Sequence, residues 1–180
     1  MGCGSEDCGC GHDQAVEDPM AAFAEMAAPA PEHKNLDVFV GEWDAEVKMW
    51  MGPGEPHVSH GVMVNAWVLG NRWVEQKYEG TGYDFKGQGL FGFNKTTGKY
   101  EGLWIDTCST FMQTDTGDYD ATSKTFTMTS RMLCPQSKEE MAKRSVIKVH
   151  SPDKHSMEMY FQAEGQPETK CMEITYTRRK

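Results

Sequence analysis

From Trp43 onward, apolar and polar residues alternate. Trp43, Ala45, Val47 and Met49 share one phase, with Asp44, Glu46 and Lys48 between them. Phe126, Met128, Ser130 and Met132 alternate with Thr125, Thr127, Thr129 and Arg131, and Met157, Met159 and Phe161 alternate with Glu158 and Gln162. Successive strand side chains point to opposite faces, so a period of two marks strands with one face in a core. Ten such runs are predicted, at 43–51, 58–69, 72–79, 86–94, 99–106, 109–115, 125–133, 144–150, 155–162 and 170–178. Short breaks separate them, among them Gly52-Pro53-Gly54, Gly70-Asn71, Thr116-Gly117-Asp118 and Ser151-Pro152-Asp153. Most leave no room for a crossover helix, so neighbouring strands are expected to be antiparallel. The stretch 134–143 is the exception, with a single helical turn expected over 137–141.

Upstream the period changes. Residues 19–28 read as a short helix, with Pro19 at its first position and Met20, Phe23 and Met26 recurring at threes. Pro29-Ala30-Pro31 ends it, and 32–40 forms a second short turn of helix with Leu36, Phe39 and Val40 on one side. The run 58–69 is apolar on both faces, and the 20–28 helix is the nearest candidate to cover its outside. Residues 1–18 have no period and are expected to be disordered. The chain thus divides into a flexible leader with a short helix, 1–32, and a β domain, 33–180. Ten sequential antiparallel strands have two sheet edges to hide, and closure hides both. The expected fold is all-β: an antiparallel up-and-down β-barrel of about ten strands.

Composition first weakens and then restores this picture. Leu, Ile, Val and Phe make up only about 15% of the 180 residues, a level usual for disordered chains. Thirteen Met, five Trp and six Tyr supply large buriable side chains instead. The net charge of −9 is concentrated in the leader. Residues 1–32 hold Glu6, Asp7, Asp13, Glu17, Asp18, Glu25 and Glu32 with no Lys or Arg, which leaves the β domain nearly neutral. An acidic chain is a poor partner for nucleic acid. No apolar run reaches the length of a membrane span. The N-terminus has neither the basic start nor the apolar stretch of a secretory signal, so reduced thiols in a cytoplasm are expected.

Three stretches carry a family resemblance. The segment Leu36-Asp37-Val38-Phe39-Val40-Gly41-Glu42-Trp43 resembles the short helix and G-x-W that open calycin barrels, the lipocalins and fatty-acid-binding proteins. Ile174-Thr175-Tyr176-Thr177-Arg178 resembles their closing strand. Gly87-Gln88-Gly89-Leu90-Phe91-Gly92-Phe93-Asn94, with Lys99-Tyr100 and Trp104-Ile105-Asp106, resembles the central pattern of a bacterial family, domain of unknown function 1579. The resemblance spans about 36–178. It implies a calycin-like barrel in which Arg178 lies over Trp43 and ties the two ends together. It implies no activity. Fatty-acid-binding proteins grip a carboxylate through Arg-x-Tyr in the last strand, whereas the order here is Tyr176-Thr177-Arg178.

A barrel of ten strands is wider than side chains easily fill, so an interior site for one small hydrophobic molecule is expected. Its candidate lining is Met49, Val64, Trp73, Tyr78 and Phe91 from the first half of the chain. Trp104, Met128, Met157 and Met159 complete it from the second. The same residues could instead fill the interior, and alternation cannot separate the two. Cys3, Cys8, Cys10 and His12 could hold zinc or copper in the leader, making it a metal-binding interaction tail. Their spacing lacks the paired knuckles of structural zinc sites, so an incidental Gly-rich leader is the favoured reading. His57 and His60 point to opposite faces, and His150 is the best-placed histidine for an axial role inside the barrel. Nucleophile-elbow, phosphate-loop and zinc-protease motifs are absent, which favours a binding protein over an enzyme. The enzymatic alternative is a barrel isomerase or hydrolase using an inward carboxylate such as Glu75 or Asp106. Ligand identity and oligomeric state are not written in these patterns.

Overall fold

Alternation along the chain becomes a closed wall. The computed structural model describes residues 18–134 and 137–180. Its strands are β1 (Gly41–Met49), β2 (His57–Val68), β3 (Trp73–Thr81), β4 (Lys86–Asn94), β5 (Lys99–Asp106), β6 (Gln113–Asp120), β7 (Thr125–Leu133), β8 (Glu140–Ser151), β9 (Lys154–Ala163) and β10 (Thr169–Arg178). Each pairs antiparallel with its sequence neighbour, and β1 pairs with β10 to close the barrel. The closing register sets Trp43 opposite Arg178 and Ala45 opposite Tyr176. Among the described residues no sheet edge is left to pair with another chain.

One end is plugged from within. A 3-10 helix, Pro31–Phe39, precedes β1 and drives Leu36 and Phe39 into the barrel. They pack against Val74, Phe91, Tyr100 and Phe126, all buried. The hairpins at this end are 69–72, 95–98, 121–124 and 152–153, and the longer connections lie at the other end.

The short helix α1 (Pro19–Ala27) is capped by Asp18, whose Oδ1 accepts from the Met20 N–H at 2.9 Å. It does not cover β2. Met20, Phe23 and Met26 on α1 are exposed, as are Val58 and Val64 on β2. The helix is drawn to the plugged end instead, where Arg72 Nε donates to Ala27 O at 2.6 Å and Lys95 Nζ to Glu25 O at 2.7 Å. Cations favour the free carbonyls of a helix C-terminus.

Two other expectations change. The sixth strand runs over 113–120 rather than 109–115, and Gly117 lies within it, paired with Tyr100 and Met128. A Cβ at Gly117 would collide with the Thr127 carbonyl oxygen, so this glycine permits a close strand approach rather than a turn. The turn expected over 137–141 is not helical. Cys134 and Glu139 close a hairpin end, with Cys134 N–H donating to Glu139 O at 2.8 Å, and β8 already begins at Glu140. No helix among the described residues is long and apolar enough to cross a membrane. Residues 1–17, with Cys3, Cys8, Cys10 and His12, lie outside the described residues.

Candidate functional site: an apolar cavity above an indole floor

The floor is built from the two chain ends. Trp43 is fully buried, and its Nε1–H donates to Phe39 O at 2.8 Å. The Arg178 guanidinium lies 4.1 Å above the Trp43 ring. It donates to Val40 O at 2.8 Å, to Val38 O at 3.1 Å and to Pro152 O at 2.9 Å. A planar cation can stack and donate in several directions at once. Gly41 has a φ of 127°, and a Cβ there would strike Arg178 Nη1, so both features of this position require glycine.

His155 completes the floor. It stacks on Tyr176 with ring centroids 4.4 Å apart and meets Trp43 and Phe39 edge-on. Burial, with smaller contributions from the Arg178 charge and His150, pushes its imidazole down to a pKa of about 3. The ring is therefore neutral at ordinary pH, a polar group in an aromatic box. His155 thus lies inside the barrel, whereas His150 is exposed and shares a hydrogen bond with Ser156 Oγ at 2.8 Å. On β8 the inward phase is Lys143, Ser145 and Ile147, so His150, in the phase of Val146 and Lys148, faces outward.

Above this floor lies a cavity of about 540 Å³, reaching the end of the barrel away from Trp43. Met49, Tyr78, Phe91, Trp104, Met128, Met157 and Met159 all line it. Val64 and Trp73 do not, and their expected placement is corrected. On β2 the inward set is Met63, Asn65 and Trp67, which leaves Val64 on the outer face at 43% exposure. On β3 it is Val74, Gln76 and Tyr78, which leaves Trp73 in the opposite phase, against Gly92. Glu75 shares the phase of Trp73 and pairs with Lys77 at 2.8 Å and Gln88 at 3.0 Å on the barrel exterior. Those partners hold its carboxyl below the usual range, the Lys77 hydrogen bond first among them. It is not an inward carboxylate.

The inward carboxylates are Asp106 and Asp115. Asp106 accepts from Trp104 Nε1 at 3.1 Å and from the Cys108 N–H at 2.9 Å, near the mouth. Deeper in the wall, Lys143 is only 3% exposed and donates to Asp115 Oδ2 at 2.9 Å and Gln113 Oε1 at 3.0 Å. Sequence reading missed this trio. Its one signal is parity: Lys143 and Ser145 share the phase of Ile147, which lines the cavity. Asp115 Oδ1, Asn65 Oδ1 and His155 Nδ1 are buried and make no hydrogen bond among the described residues. At the mouth, Tyr78 and Tyr83 hydroxyls stand 3.3 Å apart, and burial first, then this contact, raises the Tyr78 phenol. Among the described residues no group of three His, Cys, Asp or Glu side chains is gathered as a metal site.

Residues 28–178 match the family described as "Protein of unknown function (DUF1579)". No curated protein matches the chain. Among solved structures, the fold is similar to that of Rv2717c from M. tuberculosis, at 17% identity and a TM-score of 0.60, covering 85% of this chain and 100% of that one. It is also similar to the S-type phycobiliprotein lyase CPES from Guillardia theta, at 12% identity and a TM-score of 0.59, covering 88% and 98%. At these identities the likeness is one of fold.

Proposed function

The chain belongs to the DUF1579 family, and from the cavity at the centre of its barrel we propose that it binds one small, mostly apolar molecule. The observation that carries this reading is a cavity of about 540 Å³ walled by methionines and aromatic rings and reaching the barrel mouth. Volumes of this order hold small-molecule ligands. Methionine is flexible and polarizable, so Met128, Met157 and Met159 can adapt to the shape of a guest. The floor supports a rigid site, because Arg178, Trp43 and the plug residues are locked by contacts that do not involve the cavity. Cys108 and Cys171 carry free thiols, which suits the cytoplasmic setting that forms part of this proposal.

Of the two carboxylates named for the enzymatic alternative, Asp106 lines the cavity and Glu75 does not, while Asp115 is a further inward carboxylate. Asp106 is held by an indole N–H and a backbone N–H, and Asp115 by an ammonium. These partners fix negative charge in place, which suits recognition better than proton transfer.

Trp104 lines the cavity and reports on its contents. Titration with a panel of small neutral apolar molecules is expected to give a saturable change in tryptophan emission at about micromolar concentration. Trp104→Phe is expected to remove most of that change while calorimetry still records binding. Failure of every molecule in the panel to saturate would overturn the reading.

A further inference from the structure

Resting on that binding role, we propose that the ligand carries an uncharged head group that both donates and accepts a hydrogen bond, such as an amide or hydroxyl, and that this head group docks on Asp115 and Lys143. Fatty-acid anions are excluded by the same pair. The argument begins with hydrogen-bond capacity. A lysine ammonium has three donors. Lys143 uses two, on Gln113 Oε1 and Asp115 Oδ2. A carboxylate has two acceptor oxygens, and Asp115 Oδ1 is buried without a hydrogen bond among the described residues. The trio therefore offers one spare donor beside one spare acceptor, on a wall that is otherwise largely methionine and aromatic. Buried polar atoms are normally satisfied, so a partner presenting the complementary pair gains more here than on an exposed surface.

Space is kept at that point. Gly102 pairs with Asp115 across β5 and β6 and lines the cavity. A Cβ on Gly102 would reach ordinary contact with the Asp115 and Phe91 side chains, so glycine leaves the wall recessed beside the carboxylate.

Charge decides which head group fits. The Lys143 and Asp115 charges cancel each other at 2.9 Å. The other inward carboxylate, Asp106, adds negative charge near the mouth. A carboxylate ligand would leave water for a cavity with no uncompensated positive charge, and desolvation would oppose its entry. An ammonium ligand, although drawn to Asp106 at the mouth, would lose its hydration along the apolar wall and meet the Lys143 ammonium at the trio. A neutral amide or hydroxyl avoids both costs and uses both spare positions.

The test compares octanamide, octanoate and octylamine by calorimetry on the full-length protein near neutral pH. Octanamide is expected to bind at least about tenfold more tightly than either charged analogue. Asp115→Asn leaves Lys143 uncompensated, so the variant is expected to invert the order and bind octanoate at least about tenfold more tightly than the natural chain does. If all three bind equally, or octanoate binds best to the natural chain, the head-group assignment is wrong while the apolar site stands. If none binds, and the neutral panel also fails, the binding role itself falls. The natural-chain series decides the matter alone should Asp115→Asn not fold.

Discussion

Arg178 occupies the joint of the barrel. Its guanidinium stacks on Trp43 and donates to the carbonyls of Val38, Val40 and Pro152, which belong to the plug segment and to the β8–β9 turn. A lysine has the charge but neither the plane nor the fork. Arg178→Lys is therefore expected to lower unfolding stability by about 1–2 kcal/mol, measured by urea denaturation, because the part-buried Val38 and Val40 carbonyls lose their donors and the stacking on Trp43 is lost. A loss near zero would show that the joint is held by packing alone. His155 makes a separate, pH-dependent contribution. In the unfolded chain its imidazole takes a proton as pH falls through about 6.5, whereas in the barrel it stays neutral down to about 3. Between these values the unfolded state binds more protons, so stability falls as pH falls, and above about 6.5 this group adds no slope. His155→Phe keeps the ring contacts and removes the titration. Relative to the variant, the natural chain is expected to lose about 2 kcal/mol between about pH 7 and about pH 5. Parallel stability profiles for the two proteins would contradict the buried, neutral assignment.

The strands differ in how openly the sequence declares them. On β1, β7 and β9 one phase is plainly apolar, and their expected positions match the structure closely. Strand β2 is apolar in both phases and β3 in neither, so alternation cannot say which residues turn inward, and Val64 and Trp73 lie on the phase opposite the cavity. Strand β6 reads Gln-Thr-Asp-Thr-Gly-Asp-Tyr-Asp and shows no apolar phase at all. Its neighbours create it: β5 and β7 supply the pairing, and Gly117 lets β7 come close. The same strand carries Gln113 and Asp115 into the cavity. Local pattern therefore fails where the interior is polar, as expected where function rather than packing chooses the residue. Gly117→Ala tests how β6 is held. The new methyl would overlap backbone, which cannot swing aside as a side chain can. A stability loss of about 2 kcal/mol is expected, with faster amide exchange confined to the β6–β7 hairpin. Exchange rates unchanged in that hairpin would show that the close approach is not needed.

At the scale of the whole barrel, one end is a packed plug and the other an apolar hollow. The plug gathers Leu36, Phe39, Val74 and Phe126 at or below 2% exposure. The hollow retains about 540 Å³. Walls around a space that protein atoms do not fill give up dispersion contacts, so the chain sacrifices stability to keep the space. Two consequences follow from the same cause. A ligand that enters should raise the melting temperature, by an amount that grows with the logarithm of its concentration above Kd. A side chain grown into the space should do the same without ligand and then block the ligand effect. Ser145 is suited to this, because it is only 4% exposed, lies on the cavity wall and shares the phase of Lys143 and Ile147. Ser145→Leu adds apolar volume where the wall has room and is expected to stabilise the free protein by about 1 kcal/mol. Its melting temperature should rise by about 2–4 °C, and the further rise with saturating octanamide should largely vanish. If the leucine variant melts lower than the natural chain, the space is too narrow to accept it, and a filled interior replaces a hollow one.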